Sequence, residues 1–209
     1  MNKEKNKATE KLYSIYENLK NFFDKEKDEK KIQIERFHKN LEGKTVPEHI
    51  LKIINEEIER FNSMDKHSME SNVIRNYLDI LTGLPYGITT EENMDIEKAR
   101  KILDESHYGM EDIKERILEC IAVGNLKGKI QGKILCFVGP PGVGKTSIGE
   151  SIANSLNRKY MRISVGGDRD TSTLKGFRRT YIGAIPGKIV KALKVTQTEN
   201  PVILIDEVI

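Results

Sequence analysis

The chain has 209 residues, enough for one or two domains with a buried core, and its 37% hydrophobic against 32% charged content predicts extensive solvated helix surface. Thirty-five basic and 32 acidic residues leave a formal charge of +3, which gives no argument for nucleic acid or a membrane surface, and no apolar run approaches the ~20 residues that span a bilayer. The four histidines show no metal-ligand spacing, and Cys120 and Cys136, without C-x-x-C spacing, read as two buried, reduced thiols. The N-terminus mixes acids with lysines and lacks arginine, so it reads as neither a secretory signal nor a transit peptide.

In chain order, residues 4–41 are rich in Lys and Glu without Gly or Pro. Leu12, Ile15, Leu19 and Phe22 form an a/d-like stripe. Ile34, Phe37 and Leu41 resume it out of phase after a charged break over 24–31. The pattern predicts a long amphipathic helix or hairpin, with a coiled-coil arm and a solvated helix both open. Gly43 and Pro47 punctuate the chain before a helix with Ile50, Leu51, Ile54, Ile58 and Phe61 on one face. Ser71 is a candidate N-cap for the next helix, which carries Ile74, Leu78 and Leu81 and stops at Gly83. We place a domain boundary near residue 70, giving a helical segment 1–70 and an α/β segment 71–209.

From residue 94 helices and strands alternate. Asp95 caps a helix through Leu103, and Ser106 to Gly109 turn into a helix carrying Ile113, Ile117, Leu118 and Ile121. An apolar run over 134–138 predicts a strand, followed by Gly139-Pro140-Pro141-Gly142-Val143-Gly144-Lys145-Thr146 and a helix over 144–157. This G-x-x-x-x-G-K-[ST] spacing between strand and helix is that of a phosphate-binding loop. Gly139, Gly142 and Gly144 lack a Cβ, so the backbone can aim N–H groups at one concave point, which the helix N-terminus also faces. Lys145 can reach the β- and γ-phosphates of a bound polyphosphate and the Thr146 hydroxyl can hold Mg²⁺. A second strand is predicted over 160–165, a long polar connection over 166–186, a helix over 187–198 and a third strand over 202–205.

That third strand runs directly into Asp206 and Glu207. A parallel strand is buried on both faces, so its C-terminal tip is where polar groups first meet a ligand crevice. Asp206 there can hold Mg²⁺ as a Walker-B acid, and Glu207 can orient and deprotonate the attacking water. Tyr181 and Ile182, beside small residues on the polar connection, either grip an extended polypeptide through non-directional apolar contact or pack on their own domain. The whole pattern predicts an α/β P-loop core with a parallel sheet behind an all-α segment.

Seven motifs in order resemble the Lon protease family, with wording nearest its mitochondrial members. They are Arg75-Asn76-Tyr77-Leu78-Asp79, Leu84-Pro85-Tyr86-Gly87, His107-Tyr108-Gly109-Met110-Glu111-Asp112, Gly132-Lys133-Ile134-Leu135-Cys136-Phe137, the phosphate loop, Arg178-Arg179-Thr180-Tyr181-Ile182-Gly183-Ala184, and Thr198-Glu199-Asn200-Pro201 through Glu207. The resemblance is dense over 70–208, with Tyr86 where Trp is common and Phe177 where His is common. It implies an AAA+ module that forms hexameric rings, threads unfolded or damaged polypeptide through a pore and feeds a Ser-Lys peptidase, in the mitochondrial matrix or otherwise the cytoplasm. It further implies that His107-Tyr108-Gly109, Tyr108 among them, lies near the adenine and that Tyr181 and Ile182 are the gripping pair. In the family's sheet order, the strand between the phosphate-loop strand and the Walker-B strand comes from sequence after residue 209. Sensor, arginine-finger and peptidase residues are expected there too, so weak ATP binding and no proteolysis are expected of this chain alone. Two other readings are a P-loop ATPase acting on nucleic acid, which the near-balanced charge disfavours, and a non-catalytic helical interaction fragment, which the intact Lys145, Thr146, Asp206 and Glu207 disfavour.

Overall fold

Periodicity and caps account for most elements of the computed structural model, which describes residues 28–65, 68–128, 132–167, 170–177 and 185–208. The stripe of Leu12, Ile15, Leu19 and Phe22 lies outside them. The chain divides into two units after Gly83.

The first unit is helical. Helix α1 covers described residues 28–41, so residues 28–31 of the expected charged break are helical. Helices α2 (Glu48–Ser63) and α3 (Met69–Gly83) follow. Phe37 of α1, Ile54, Ile58 and Phe61 of α2, and Ile74 and Leu78 of α3 form one buried cluster. In it Phe37 and Phe61 meet edge to face, with centroids 6.1 Å apart. The division falls at Gly83 and not near residue 70 because α3 buries Ile74 and Leu78 in this cluster. One local reading is corrected. The cap of α3 is Ser68, whose Oγ accepts from Ser71 N at 3.0 Å, while Ser71 itself is buried in the first turn. Pro47 precedes α2, its carbonyl accepting from Ile50 N and Leu51 N.

In the second unit Asp95 opens α4 (Ile96–Ser106) by accepting from Glu97 N at 3.0 Å and Lys98 N at 3.2 Å. Helices α5 (Glu111–Lys127) and α6 (Lys145–Leu156) follow. Then come β1 (Tyr160–Ser164), the short α7 (Ser172–Lys175), α8 (Lys188–Thr196) and β2 (Val202–Asp206). Ala99 and Leu103 of α4, Ile117, Leu118 and Ile121 of α5, and Ile148, Ile152 and Leu156 of α6 form the core, with Val202 against it. The segment before α4 is stitched to the far end of α6: Asn93 N donates to Leu156 O at 3.0 Å and Asn93 Nδ2 to Ser155 O at 2.8 Å. These bonds occupy carbonyls that the helix end leaves free.

Strands β1 and β2 pair in parallel, with Arg162 level with Leu204 and Ser164 level with Asp206. Leu204 faces α6, where Gly149 allows close approach: a Cβ there would lie 3.3 Å from Leu204 Cδ1. The expected strand over 134–138 forms no ladder among the described residues. Leu135 and Phe137 pack against the helical core, whereas Ile134, Cys136 and Val138 stay exposed. This two-residue alternation is that of a strand, but no described strand lies alongside to take its backbone hydrogen bonds. For the same reason Cys136 is exposed rather than buried, while Cys120 on α5 is partly buried.

Candidate nucleotide-binding site

The loop before α6 turns through positive φ at Gly142 (79°) and Gly144 (90°), values that residues with a Cβ rarely adopt. Gly144 is the N-cap of α6, no side chain caps that end, and the first turn holds no acid. The helix therefore presents free backbone N–H groups and a positive dipole end with no anion of its own. Lys145, the first residue of α6, folds back so that Nζ donates to Gly139 O at 2.8 Å and to Pro140 O. An ammonium hydrogen-bonded to the loop's own carbonyls stays at the loop mouth, where a polyphosphate would meet it.

Thr146 Oγ1 donates to Asp206 Oδ2 at 3.0 Å, joining the first turn of α6 to the tip of β2 across sixty positions of sequence. A hydroxyl and a carboxylate at this distance are hard oxygen donors suited to Mg²⁺, either directly or through its water shell. The next residue is held as closely. Glu207 lies just past the strand with φ at 60°, its N–H donates to Asp206 Oδ1 at 3.0 Å, and its Oε2 accepts from Ser164 Oγ at 2.6 Å. A Cβ on Gly166 would run into this carboxylate, so glycine there makes its room. Lys188 Nζ donates to Ser164 O at 2.7 Å and ties the start of α8 to the same strand tip.

Four participants, Ser164, Arg162, Ser147 and Met110, escape the sequence reading. Ser164 meets Glu207, and Arg162 NH2 lies 2.8 Å from Asp206 Oδ2. His107 Nε2 and Ser147 Oγ share a hydrogen bond of 2.8 Å, and the Met110 side chain packs beside Gly144, 3.0 Å from where a Cβ would sit. Parity along β1 is the one signal that could have found Arg162 and Ser164, since both share a strand face. Tyr108 stands fully in solvent, so within this turn His107 makes the contact with α6. Tyr181 and Ile182 lie outside the described residues. On β1, burial first and then the nearby Glu150 carboxylate push the Tyr160 hydroxyl above its ordinary range.

A glycine cradle at a helix N-terminus, a lysine and threonine behind it, and two acids at the tip of a parallel strand define an AAA-type ATPase core. Residues 135–208 match the family described as "ATPase family associated with various cellular activities (AAA)". The chain is 54% identical over 208 residues to the human "Lon protease homolog, mitochondrial", an alignment covering 98% of this chain and 22% of that protein. It is 54% identical to the Drosophila melanogaster protein of the same description, with 98% and 20% covered. With the "Lon protease" of Protochlamydia amoebophila it shares 55% identity over 183 residues, covering 88% and 22%. The chain belongs to the Lon protease family, and it spans about a fifth of the length of these relatives.

Proposed function

We propose that this chain is the ATP-binding and ATP-hydrolysing motor segment of a Lon-type ATP-dependent protease. The observation that carries the proposal is the 3.0 Å contact between the Thr146 hydroxyl and the Asp206 carboxylate, which brings the phosphate loop and the acidic strand tip to one point. The backbone N–H groups of Gly139, Gly142, Val143 and Gly144, with Pro140 and Pro141 shaping the turn, would hold the phosphates, and Lys145 would neutralise the γ-phosphate as charge develops. Thr146 and Asp206 would hold Mg²⁺, which when bound neutralises charge on the transferring phosphoryl group. Glu207, oriented by Ser164, would accept a proton from the attacking water. Tyr108 would border the adenine.

The relatives' names support a protease, and the finer parts rest on the family resemblance. Tyr181 and Ile182 would grip unfolded or damaged polypeptide, and six identical modules would form the ring that passes it to a Ser-Lys peptidase. The mitochondrial description of the human and fly relatives supports a mitochondrial location, with the matrix resting on the family resemblance, although the Protochlamydia relative carries no such description. The test uses the full-length protein with Lys145→Ala and Glu207→Gln, following ATP-dependent degradation of an unfolded substrate such as casein. Both variants are expected to abolish degradation, and normal degradation by either would reject the role assigned to that residue.

A further inference from the structure

We propose that Arg162 is a resident counter-cation of Asp206 that competes with Mg²⁺ for the carboxylate oxygen facing Thr146, and so sets the magnesium concentration at which nucleotide binds. This rests on the reading of Thr146 and Asp206 as the Mg²⁺ residues. The geometry is specific. Asp206 Oδ2 accepts from the Thr146 hydroxyl at 3.0 Å and is ion-paired with the Arg162 guanidinium, whose NH2 lies 2.8 Å away, while Oδ1 accepts from Glu207 N–H at 3.0 Å. A magnesium ion, or a water of its shell, placed between Thr146 and Oδ2 meets a cation already in contact with that oxygen, and Thr146 is its neighbour on the other side. Arg162 is the cation that must yield.

Arg162 is built to yield. It sits on β1 two residues before Ser164, which is level with Asp206, so its long side chain reaches forward along the strand face to the carboxylate. Its side chain is 51% exposed against 20% for Asp206, and a half-exposed guanidinium can swing into water at small cost. While paired it holds the carboxylate beside Thr146. A positive charge that stays near the ion also repels it. Screened by water, one unit charge a few ångströms from a divalent cation changes the metal's affinity by about three- to tenfold.

The test is a magnesium titration of the full-length protein at a fixed, subsaturating concentration of a fluorescent non-hydrolysable ATP analogue, reading the half-saturating Mg²⁺ for nucleotide binding. Arg162→Gln is expected to lower that concentration by about three- to tenfold, and Arg162→Lys, which keeps charge but not the planar fork, to fall between it and the parent. Asp206→Asn is expected to raise it, and adding Arg162→Gln to Asp206→Asn is expected to lower it by less than Arg162→Gln lowers the parent's, because only the repulsion is then relieved. An unchanged or raised half-saturating Mg²⁺ in Arg162→Gln, with Asp206→Asn raising it, overturns the competition while leaving the metal reading intact. An unchanged value in Asp206→Asn overturns the metal reading and the competition together. If circular dichroism shows Arg162→Gln to be unfolded, Arg162→Lys decides by the same criterion.

Discussion

Replacing Glu207 by Gln keeps the shape of the side chain and removes its charge, so it isolates the base. The amide oxygen can still accept from Ser164 Oγ, and Gly166 leaves the same room. What the structure allows positioning to lose is therefore small. Turning a charge-assisted hydrogen bond into a neutral one weakens it by about 1 kcal/mol, roughly fivefold in the fraction of correctly held side chain. Loss of a general base costs about 10² to 10⁴ in rate, or about 2.7 to 5.5 kcal/mol on the barrier. The two effects differ enough to be told apart. Steady-state ATP hydrolysis by the full-length variant should fall by at least about 100-fold, while affinity for the fluorescent analogue should stay within about threefold. Hydrolysis reduced by no more than about fivefold would match lost positioning alone, and the assignment of Glu207 as the base would be refuted.

Asp95→Ala removes the acceptor of two backbone N–H groups and should destabilise the second unit by about 1 kcal/mol in chemical denaturation, with Asp95→Ser recovering most of it. Gly149→Val places branched methyls where a Cβ alone would already lie 3.3 Å from Leu204, and should cost about 1 to 3 kcal/mol in the same measurement. Gly149→Ala should stay within about 1 kcal/mol of the parent, because better helix propensity offsets a small shift of Leu204. Leu78→Ala empties a fully buried position of the three-helix cluster and should cost about 2 to 5 kcal/mol, lowering the melting temperature of the first unit while leaving nucleotide affinity unchanged.

Some features were legible because local geometry dictates them. The loop spacing from Gly139 to Thr146 follows from what a backbone must do to approach a phosphate, and the Asp95 cap follows from orphan N–H groups at a helix start. Of the two strands that pair, β2 was readable as a short branched run over Val202 to Ile205, whereas β1 has one branched residue, Ile163, which is also its one buried position. The sequence alone therefore determined most of the helices, the glycine-lysine loop and the two acids where the last strand ends. Tertiary structure decided what depends on partners distant in sequence. It left 134–138 without a ladder among the described residues, although its alternation is intact, because a strand is completed by a neighbour and not by its own residues. It assigned α3 to the first unit through Ile74 and Leu78, and it placed Ser164 on Glu207 and Arg162 on Asp206. Those last pairings depend on the register of two parallel strands some forty residues apart, which hydrogen bonds between chains of backbone select and no local pattern records.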